Sequence, residues 1–535
     1  MRLTLALAAA LAPALLIAAC TPRGEAPGPD AAAAPPPVVL RRTLTTPRAL
    51  DPALVVDVGG VTVTGDTFEG LYRVGPGGAP VLAAASDHAV SPDGLTHTFT
   101  LRPGGRWSDG QPVTAADFAW SWRRALAPAT AAPGAATLHG IAGARACTAA
   151  PPAEAAAACA AIGVEARDAR TLVVRLDRPE PTLRAALTQP VALPVPRAVV
   201  EGHGERWTRP DVIVSNGMWV PSEKGPTAII ARRNPHYDDG TPIPFDAIEY
   251  AIVEDETAAH NLYATGKLDY LAGKVPAAVI ATLRRERSPA LRRVPFAGVD
   301  FYLFNTTRPP FDDPRVRRAL SLALDRSVIG EAVLEGGELA AGSLIPPALG
   351  GRAASDDDFD PDRARALLAE AGHGPERPLR FALTHDESEP ARRLAEYAQQ
   401  QWRRHLGAHC DLRSMERRAL VEVQRARDYD VSRAAWFADV PDALGFLEPW
   451  LGDAPANRTG WRDPAFDAAV AAIGAAPDEG ARRAAIAAAE ARLLDALPAM
   501  PTFVHVRVDL VRPGLLGHDP GTGLYQPARL LRFAR

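Results

Sequence analysis

The sequence contains few cysteines and no strong excess of charge of either sign. Four cysteines occur among its 535 residues, and the formal net charge at pH 7 is −4. Because so weak a charge provides no phosphate-neutralising surface, we predict that the chain binds no nucleic acid. No spacing of cysteine and histidine resembles a zinc site, so we assign no metal, and we expect no cofactor.

The motifs of common enzymes and nucleotide-binding proteins are also missing. The sequence has neither a G-x-S-x-G elbow nor an H-E-x-x-H motif. Gly75–Gly78 (GPGG) is predicted to be a turn, because it lacks the lysine and Ser/Thr of a phosphate loop. His405 and His409 have a helical spacing that suits a metal pair, but we interpret them as surface residues. The sequence therefore favours a protein that is not an enzyme.

A long apolar run occurs only at the N-terminus. Leu3–Ile17 follows the positive charge of Arg2 and precedes two alanines and Cys20. This pattern is typical of a signal peptide that ends in a lipobox, and the run is too short to span a bilayer comfortably. We predict a signal peptide over residues 1–19, a lipidated Cys20 and a Pro/Ala-rich linker over residues 20–39. The alternative is an ordinary secretory signal whose cysteine follows the alanines by chance.

The composition of the remaining chain predicts a large globular body. Apolar residues make up 47% of the sequence and charged residues 23%, and 535 residues exceed one ordinary core. We expect several domains or one two-lobed body in the cell envelope, attached to a membrane through its lipid. Cys147 and Cys159 flank a short Ala/Pro-rich loop, and they either form a disulfide or stay reduced. If they form the disulfide, Cys410 is left as a buried free thiol.

A predicted strand and helix in the first third of the body show mixed α and β structure. Thr96–Leu101 alternates polar and apolar residues, which indicates a strand. Thr114 with Asp117 three residues later suits a helix N-cap, which opens a helix over 117–126. On that helix Trp120 and Trp122 face different directions, so one is expected in the core and the other is free to line a cavity.

A second alternating segment, residues 428–439 (DYDVSRAAWFAD), contains an arginine among apolar residues. On a strand, Val431, Arg433, Ala435 and Phe437 share one face. An unpaired buried charge costs several kcal/mol. Arg433 therefore either pairs with a carboxylate inside the protein or faces a ligand, and the sequence leaves both open.

Nine segments in the right order resemble the large extracytoplasmic solute-binding proteins of peptide ABC importers, family 5, typified by the periplasmic oligopeptide-binding protein. The resemblance covers nearly the whole mature chain. The segments are LDP (50–52), FEGL (68–71), WSDGQPVTAADF (107–118), WSWRR (120–124), SNGMW (215–219), RNPHY (233–237), FNTTRPPFDDPRVRRALSLALDR (304–326), LLAEAG (367–372) and SRAAWFADVPDALGFL (432–447).

The resemblance implies an α/β fold, a two-lobed periplasmic-binding-protein clamshell of the large, type II-like class with an extra inserted domain. Lobe I then comprises 40–68, 183–297 and 505–535, the inserted small domain 69–182, and lobe II 298–504. Members of the family enclose their ligand by hinge closure and dock the closed form on the permease subunits of the importer. We expect a monomer that captures short peptides.

The resemblance also implies the charged groups of the site. In the family, an aspartate in the motif that here is WFAD meets the α-ammonium of the peptide, and the matching residue is Asp439. An enclosed cation needs such a counter-charge. Arg433 falls where family members have an arginine able to meet a short peptide's carboxylate, which suits its planar fork.

Aromatic and backbone groups complete the implied site. Trp436 matches an aromatic cleft residue, and Trp120 falls where an aromatic wall residue lies. The backbone from Val56 to Val58 and from Ala435 to Phe437 is expected to pair, as strand-like edges, with an extended peptide.

The sequence departs from the oligopeptide type at several positions. That type has a cysteine in place of Phe437, bonded to one near Gly298, and this chain has neither. The basic residues that meet the carboxylates of differently sized peptides become Leu334 and Ala391. His385 lies nearby and is a candidate substitute, with a solvated loop histidine as the alternative.

Two other functions remain open. Relatives of this fold bind opines, nickel chelates, sugars or other small solutes, although Asp439 favours a ligand with an ammonium group. The lipoprotein could also be a sensor without a transporter. A lipid-anchored hydrolase is disfavoured, because the nucleophile motifs are missing.

Overall fold

The structure of the protein, a computed structural model, describes residues 36–438, 442–476, 478–523 and 525–534. The chain from Val38 onward is one compact unit. The predicted signal peptide, Cys20 and most of the predicted linker lie outside the described residues, and so does Asp439. Within the described ranges, no helix combines the length and the apolar character needed to cross a membrane.

The described ranges contain both strands and helices along their whole length. The strands are β1 (Val39–Leu44), β2 (Tyr72–Val74), β3 (Pro80–Leu82), β4 (Ala85–Val90), β5 (Thr96–Leu101), β6 (Val164–Ala166), β7 (Thr171–Arg175), β8 (Trp219–Lys224), β9 (Ala228–Arg233), β10 (Ala247–Ile252), β11 (Tyr270–Ala272), β12 (Leu291–Phe304), β13 (Leu339–Ala340), β14 (Arg380–Asp386), β15 (His409–Met415), β16 (Val431–Phe437), β17 (Ala499–Val511), β18 (Leu515–Leu516) and β19 (Arg532–Phe533). The α-helices are α1 (Val58–Thr67), α2 (Ala115–Leu126), α3 (Ala144–Ala149), α4 (Ala155–Ala160), α5 (Leu183–Ala186), α6 (Arg197–His203), α7 (Glu256–Ala264), α8 (Ala277–Arg285), α9 (Pro314–Leu322), α10 (Pro361–Glu370), α11 (Glu389–Leu406), α12 (Arg417–Ala426), α13 (Leu444–Leu447), α14 (Pro464–Gly474) and α15 (Glu479–Ala496).

One mixed sheet extends through the body. Its strands are hydrogen-bonded in the order β15-β14-β16-β12-β17-β11-β1-β10-β9-β8, and β13 pairs with β17. Strands β14, β15 and β16 are parallel to one another, as are β10, β1 and β11, whereas the central strands β16, β12 and β17 are antiparallel. The two parallel groups therefore lie on opposite sides of one long antiparallel pair.

That long pair, β12 and β17, connects the two lobes of this α/β fold. The strands pair from Leu291 opposite Leu510 to Leu303 opposite Ala499. Their register shifts between Pro295 and Val299, where residues 296–298 lie opposite His505 alone. Such a bulge bends and twists a strand locally. The predicted limits of lobe II, residues 298 and 504, fall at this shift; the division of the chain at these points stays a prediction.

Alternate residues of β12 enter two separate cores, as the period of a strand requires. Tyr302 and Phe304 pack in a cluster with Trp402, whereas Phe301 and Leu303 pack in a cluster with Trp450 on the other face. Both faces of this strand are therefore buried, which fixes the sheet between two layers of helices.

A separate antiparallel sheet, β4-β5-β7-β6, lies within the predicted inserted domain. The predicted strand over Thr96–Leu101 is confirmed as β5. Cys147 of α3 and Cys159 of α4 form a disulfide, and Cys410 is a buried free thiol. Of the two alternatives that the sequence left open for these cysteines, the structure has the disulfide.

Helix α2 covers the separate sheet and begins two residues before the predicted start at Asp117. The backbone N–H of Thr114 donates to the carboxylate of Asp117 over 2.8 Å, so the predicted cap is confirmed. Trp122 is fully buried in the domain core, and its indole N–H donates to the carbonyl oxygen of Ala192 over 2.9 Å. Trp120 is only partly buried, as the different directions of the two rings predicted.

Candidate functional site

An open cavity of about 240 Å³ lies beside the bulge in β12. Its floor includes Phe296 and Ala297 of β12, Phe437 at the end of β16, and Ala438. Its walls consist of Val58, Val61, Val74, Gly78, Pro80, Ala185, Thr188, Gln189, Pro190, Gly521, Thr522, Gly523 and Tyr525. Because all three predicted bodies contribute to this lining, the cavity is the cleft that the two-lobed fold encloses.

The cavity is mostly apolar. None of its described lining residues carries a charged side chain. The hydroxyl of Tyr525 donates to a carboxylate oxygen of Asp66 over 2.8 Å, so this lining phenol is already engaged. A charge buried here would meet no counter-charge on the described lining, whereas an apolar group would gain free energy on leaving water.

Phe437 is the most prominent side chain of the cavity floor. It lies directly opposite Gly298 in the pairing of β16 with β12, so it adjoins the part of β12 near which the resemblance implies the second cysteine of the oligopeptide type. The ring of Phe437 stacks on that of Phe296, with centroids 5.9 Å apart and planes 14° apart. An added Cβ at Gly298 would lie 2.5 Å from the Phe437 ring, so the ring occupies the space that this glycine leaves.

Arg433 lies on the predicted strand, now β16, and pairs with two carboxylates inside the protein. Its Nη2 is 2.6 Å from Asp300 of β12, and its Nη1 is 2.5 Å from Asp386 at the end of β14. Asp300 is fully buried, and the side chains of Arg433 and Asp386 are each 14% exposed. Of the two alternatives for Arg433, internal pairing is present, and the residue is not part of the described cavity lining.

The two acids differ in their protonation equilibria. Burial raises the pKa of Asp300 to about 6, although the charge of Arg433 and the hydroxyl of Thr502 favour its ionised form. Burial also opposes ionisation of Asp386, but hydrogen bonds from Ser388 and the charge of Arg433 outweigh it and lower that pKa. The guanidinium of Arg433 therefore already pairs with two carboxylates, so a carboxylate of a ligand would need to displace Asp300 or Asp386.

The alternative that the sequence offered for His385, a solvated loop histidine, is wrong. His385 lies within β14 and is buried, with Nδ1 2.7 Å from the carbonyl oxygen of Asp386. Ala391 is buried in the first turn of α11. The described cavity lining includes none of His385, Leu334 and Ala391.

The two predicted aromatic cleft residues have structural partners. The indole N–H of Trp436 donates to the carbonyl oxygen of Gly445 over 2.8 Å, and its ring packs on the lobe II core. Trp120 packs on a cluster around Trp207, with the guanidinium carbon of Arg197 5.9 Å from its ring centroid. Neither ring is on the described lining of the cavity.

The predicted backbone edge at Val56 to Val58 is not a strand. Val58 begins α1 and lines the cavity, and Val56 is exposed just before it. The other predicted edge, from Ala435 to Phe437, is the end of β16 and is paired with β12 on one side. We therefore place one sheet strand and one helix start at the cleft.

Sequence reasoning missed the contact that closes one wall. The predicted GPGG turn packs on the C-terminal segment: the backbone N–H of Gly77 donates to Asp519 over 2.6 Å. Gly78 has φ +78°, and an added Cβ would lie 2.2 Å from the carbonyl oxygen of Gly521. Only glycine suits that conformation and approach. The clustered glycines were the available signal, but their partner is more than 400 residues away.

An α/β body of two lobes, joined by long strands and separated by a cleft, is the architecture of a solute-binding protein. The chain belongs to the bacterial extracellular solute-binding proteins, family 5: the model described as "Bacterial extracellular solute-binding proteins, family 5 Middle" matches residues 79–458.

Individual relatives cover nearly the whole chain. It is 33% identical to the probable deoxycholate-binding periplasmic protein YgiS of Escherichia coli, over 92% of this chain and 93% of the relative. It is 32% identical to the periplasmic oligopeptide-binding protein OppA of Salmonella typhimurium, over 89% of each. Among solved structures, the periplasmic murein tripeptide-binding protein MppA in its unliganded open form superposes with a TM-score of 0.86 at 30% identity, covering 93% of this chain and 97% of that one.

Proposed function

We propose that this protein is a lipid-anchored substrate-binding protein of the cell envelope, which captures short peptides in its cleft and delivers them to the permease of an ABC importer. The observation that carries the proposal is the open, mostly apolar cavity lined by residues of both predicted lobes. Its likeness to OppA and to open MppA supports the peptide as cargo. Lobe closure would supply the docking-competent form.

Within this proposal, Asp439 holds the α-ammonium group of the peptide. In the sequence it follows Ala438, which lines the cavity. The backbone of Ala435 to Phe437 and the start of α1 at Val58 flank the bound chain. Trp436, Trp120, Val56 and His385 stay predicted ligand-contacting residues, and none of them is on the described lining of the open cavity.

The direct test is to identify what the protein carries. The full chain is expressed in a bacterial host and purified natively, and the released ligands are identified by mass spectrometry. We expect a mixture of short peptides of varied sequence. A single non-peptide solute in stoichiometric amount would contradict peptide capture.

One observation favours a second candidate cargo. The described cavity lining is uncharged and mostly apolar, which suits an amphipathic solute of the kind named for YgiS, deoxycholate. We rank it second, because Asp439 provides a counter-charge for an ammonium group, which such a ligand lacks. Titration of deoxycholate against a tripeptide by calorimetry separates the two candidates.

Arg433 is the proposed partner of the C-terminal carboxylate of the peptide. To bind there, that carboxylate would have to replace Asp386. We therefore expect Asp386→Asn to strengthen binding of free-acid tripeptides by about tenfold relative to their C-terminal amides, because the competing charge is removed. Calorimetric Kd values for acid and amide pairs measure this ratio. Asp430→Asn, in the same lobe, is the control, and an unchanged ratio in Asp386→Asn would exclude Arg433 from the site.

The lipid anchor is tested at its cysteine. We expect mass spectrometry of the full chain after expression in a bacterial host to show a mature N-terminus at Cys20 that carries acyl chains, and Cys20→Ala to carry none, since the thiol that accepts the lipid is removed. Cys410→Ala is the matched control and should behave like the unmodified sequence. Acyl chains on Cys20→Ala would contradict lipidation at this residue.

A further inference from the structure

Phe437 is unusual among the apolar side chains of the protein. It is 45% exposed, and it is the one aromatic among the large apolar side chains that are exposed in the described ranges. Exposed apolar surface that is confined to a cleft marks a binding site more often than chance exposure does. It lies on the described lining of the cavity.

The ring is held in place before any ligand arrives. It stacks on Phe296, and the ring of His505 lies against it with centroids 4.8 Å apart. Gly298 beneath it leaves the space that the ring fills. The two phenylalanines, which we call the Phe296–Phe437 platform, are therefore pre-organised, so a ligand contacting them pays little ordering cost.

The surfaces around the platform are mostly apolar as well. Val58, Val61, Pro80 and Pro190 line the cavity with it, and no described lining residue is charged. A lysine or glutamate side chain placed on the platform would lose water there without gaining a counter-charge from any of the described lining residues. An aliphatic or aromatic side chain would bury apolar area, and an aromatic one would also stack on the platform.

We propose that the Phe296–Phe437 platform determines specificity: the protein prefers short peptides with a large aliphatic or aromatic side chain at the position that contacts it, over peptides with a charged or small polar one. This inference rests on the proposed function, because it takes the cargo to be a peptide. It adds to that function a class of substrate and names Phe437 as the residue that selects it.

The test measures affinity by calorimetry for tripeptides that have alanine at two positions and phenylalanine, leucine, serine or lysine at the third, with each position tested in turn. For the full chain we expect one position at which phenylalanine and leucine bind about tenfold tighter than serine and lysine. Phe437→Ala should reduce that ratio to about threefold or less. Leu516→Ala removes a similarly exposed side chain, 44% exposed, away from the described cavity lining, and should leave the ratio unchanged.

Phe437→Gln keeps a side chain of substantial volume and should abolish the preference even if Phe437→Ala does not fold, as checked by thermal melting. Equal affinity for all four residues at every position would overturn the inference and leave peptide capture intact. An unchanged ratio in a folded Phe437 variant would also overturn it. Failure of every tripeptide to bind the unaltered chain would instead refute the proposed function, and the inference with it.

Discussion

Replacing Arg433 by methionine is expected to lower the free energy of unfolding by about 3–5 kcal/mol at pH 7, because it leaves two carboxylates in the protein without their cation. Asp300 is fully buried, and the side chain of Asp386 is 14% exposed. The hydroxyl of Thr502, 3.0 Å from Asp300, is the one remaining donor to that acid in the described structure. Urea unfolding followed by circular dichroism measures the loss.

The loss should depend on pH in a definite direction. Asp300 already has its pKa raised to about 6, above the value of an unfolded chain, and removing Arg433 raises it further. At pH values between the pKa of Asp300 in the unfolded chain and its higher pKa in the folded variant, the folded state binds more protons than the unfolded state. The stability of the variant therefore falls as pH rises through this range. The deficit of Arg433→Met should therefore be largest near pH 7 and smaller near pH 4.5.

Two variants make the measurement specific to the group formed by Arg433, Asp300 and Asp386, which we call the buried triad. Arg308 pairs with Asp430 near the surface, with side chains 44% and 32% exposed, so Arg308→Met should cost less than about 1 kcal/mol. Adding Asp300→Asn to Arg433→Met should recover part of the loss, because one unpaired charge is removed. If Arg433→Met is no more destabilising than Arg308→Met, the triad does not hold these strands together.

Local patterns predicted local structure well in this protein. The alternation in 428–439 predicted β16 and the face shared by Arg433 and Phe437, and the spacing of Thr114 and Asp117 predicted the start of α2 to within two residues. Each of these predictions depends on residues a few positions apart. Backbone periodicity and end-capping act over that distance, so the sequence contains the necessary information.

Local patterns could not identify the carboxylates that pair with Arg433. Asp300 is 133 residues away in the sequence and Asp386 is 47 away, and the order of strands β14, β16 and β12 brings them together. The sequence showed that Arg433 needs a carboxylate but not which one. The resemblance to a family proposed a ligand for it, whereas the fold itself contains two acids that already occupy the guanidinium.

His385 and Val58 were misassigned for opposite reasons. Strand β14 is buried on both faces, so its sequence does not alternate and its end resembled a loop. Helix α1 has the sequence VGGVTVTGDT, whose glycines and β-branched residues disfavour a helix. Tertiary packing overrides that preference, because an added Cβ at Gly59 would lie 2.2 Å from the carbonyl oxygen of Thr45.

Replacing Asp439 by asparagine is expected to weaken binding of a tripeptide by about 100-fold or more, which corresponds to about 3 kcal/mol. In the proposed site the ammonium group of the peptide leaves water when the lobes close, and no described lining residue of the cavity offers another negative charge. An amide in place of the carboxylate keeps the size of the side chain but not the charge that offsets this desolvation.

The test compares a free tripeptide with its N-acetylated form, which lacks the cation, by calorimetry on the full chain and on Asp439→Asn. The unaltered chain should bind the acetylated peptide about 100-fold more weakly than the free one, whereas Asp439→Asn should bind both equally weakly, since the charge pair is already broken. Asp428→Asn, an exposed aspartate that precedes β16 in the sequence, is the matched control and should preserve the discrimination. If Asp439→Asn still discriminates between the two peptides, the ammonium group is bound elsewhere. If the unaltered chain does not discriminate between them, the ligand is recognised without its amino terminus, and the apolar floor of the cleft dominates the affinity.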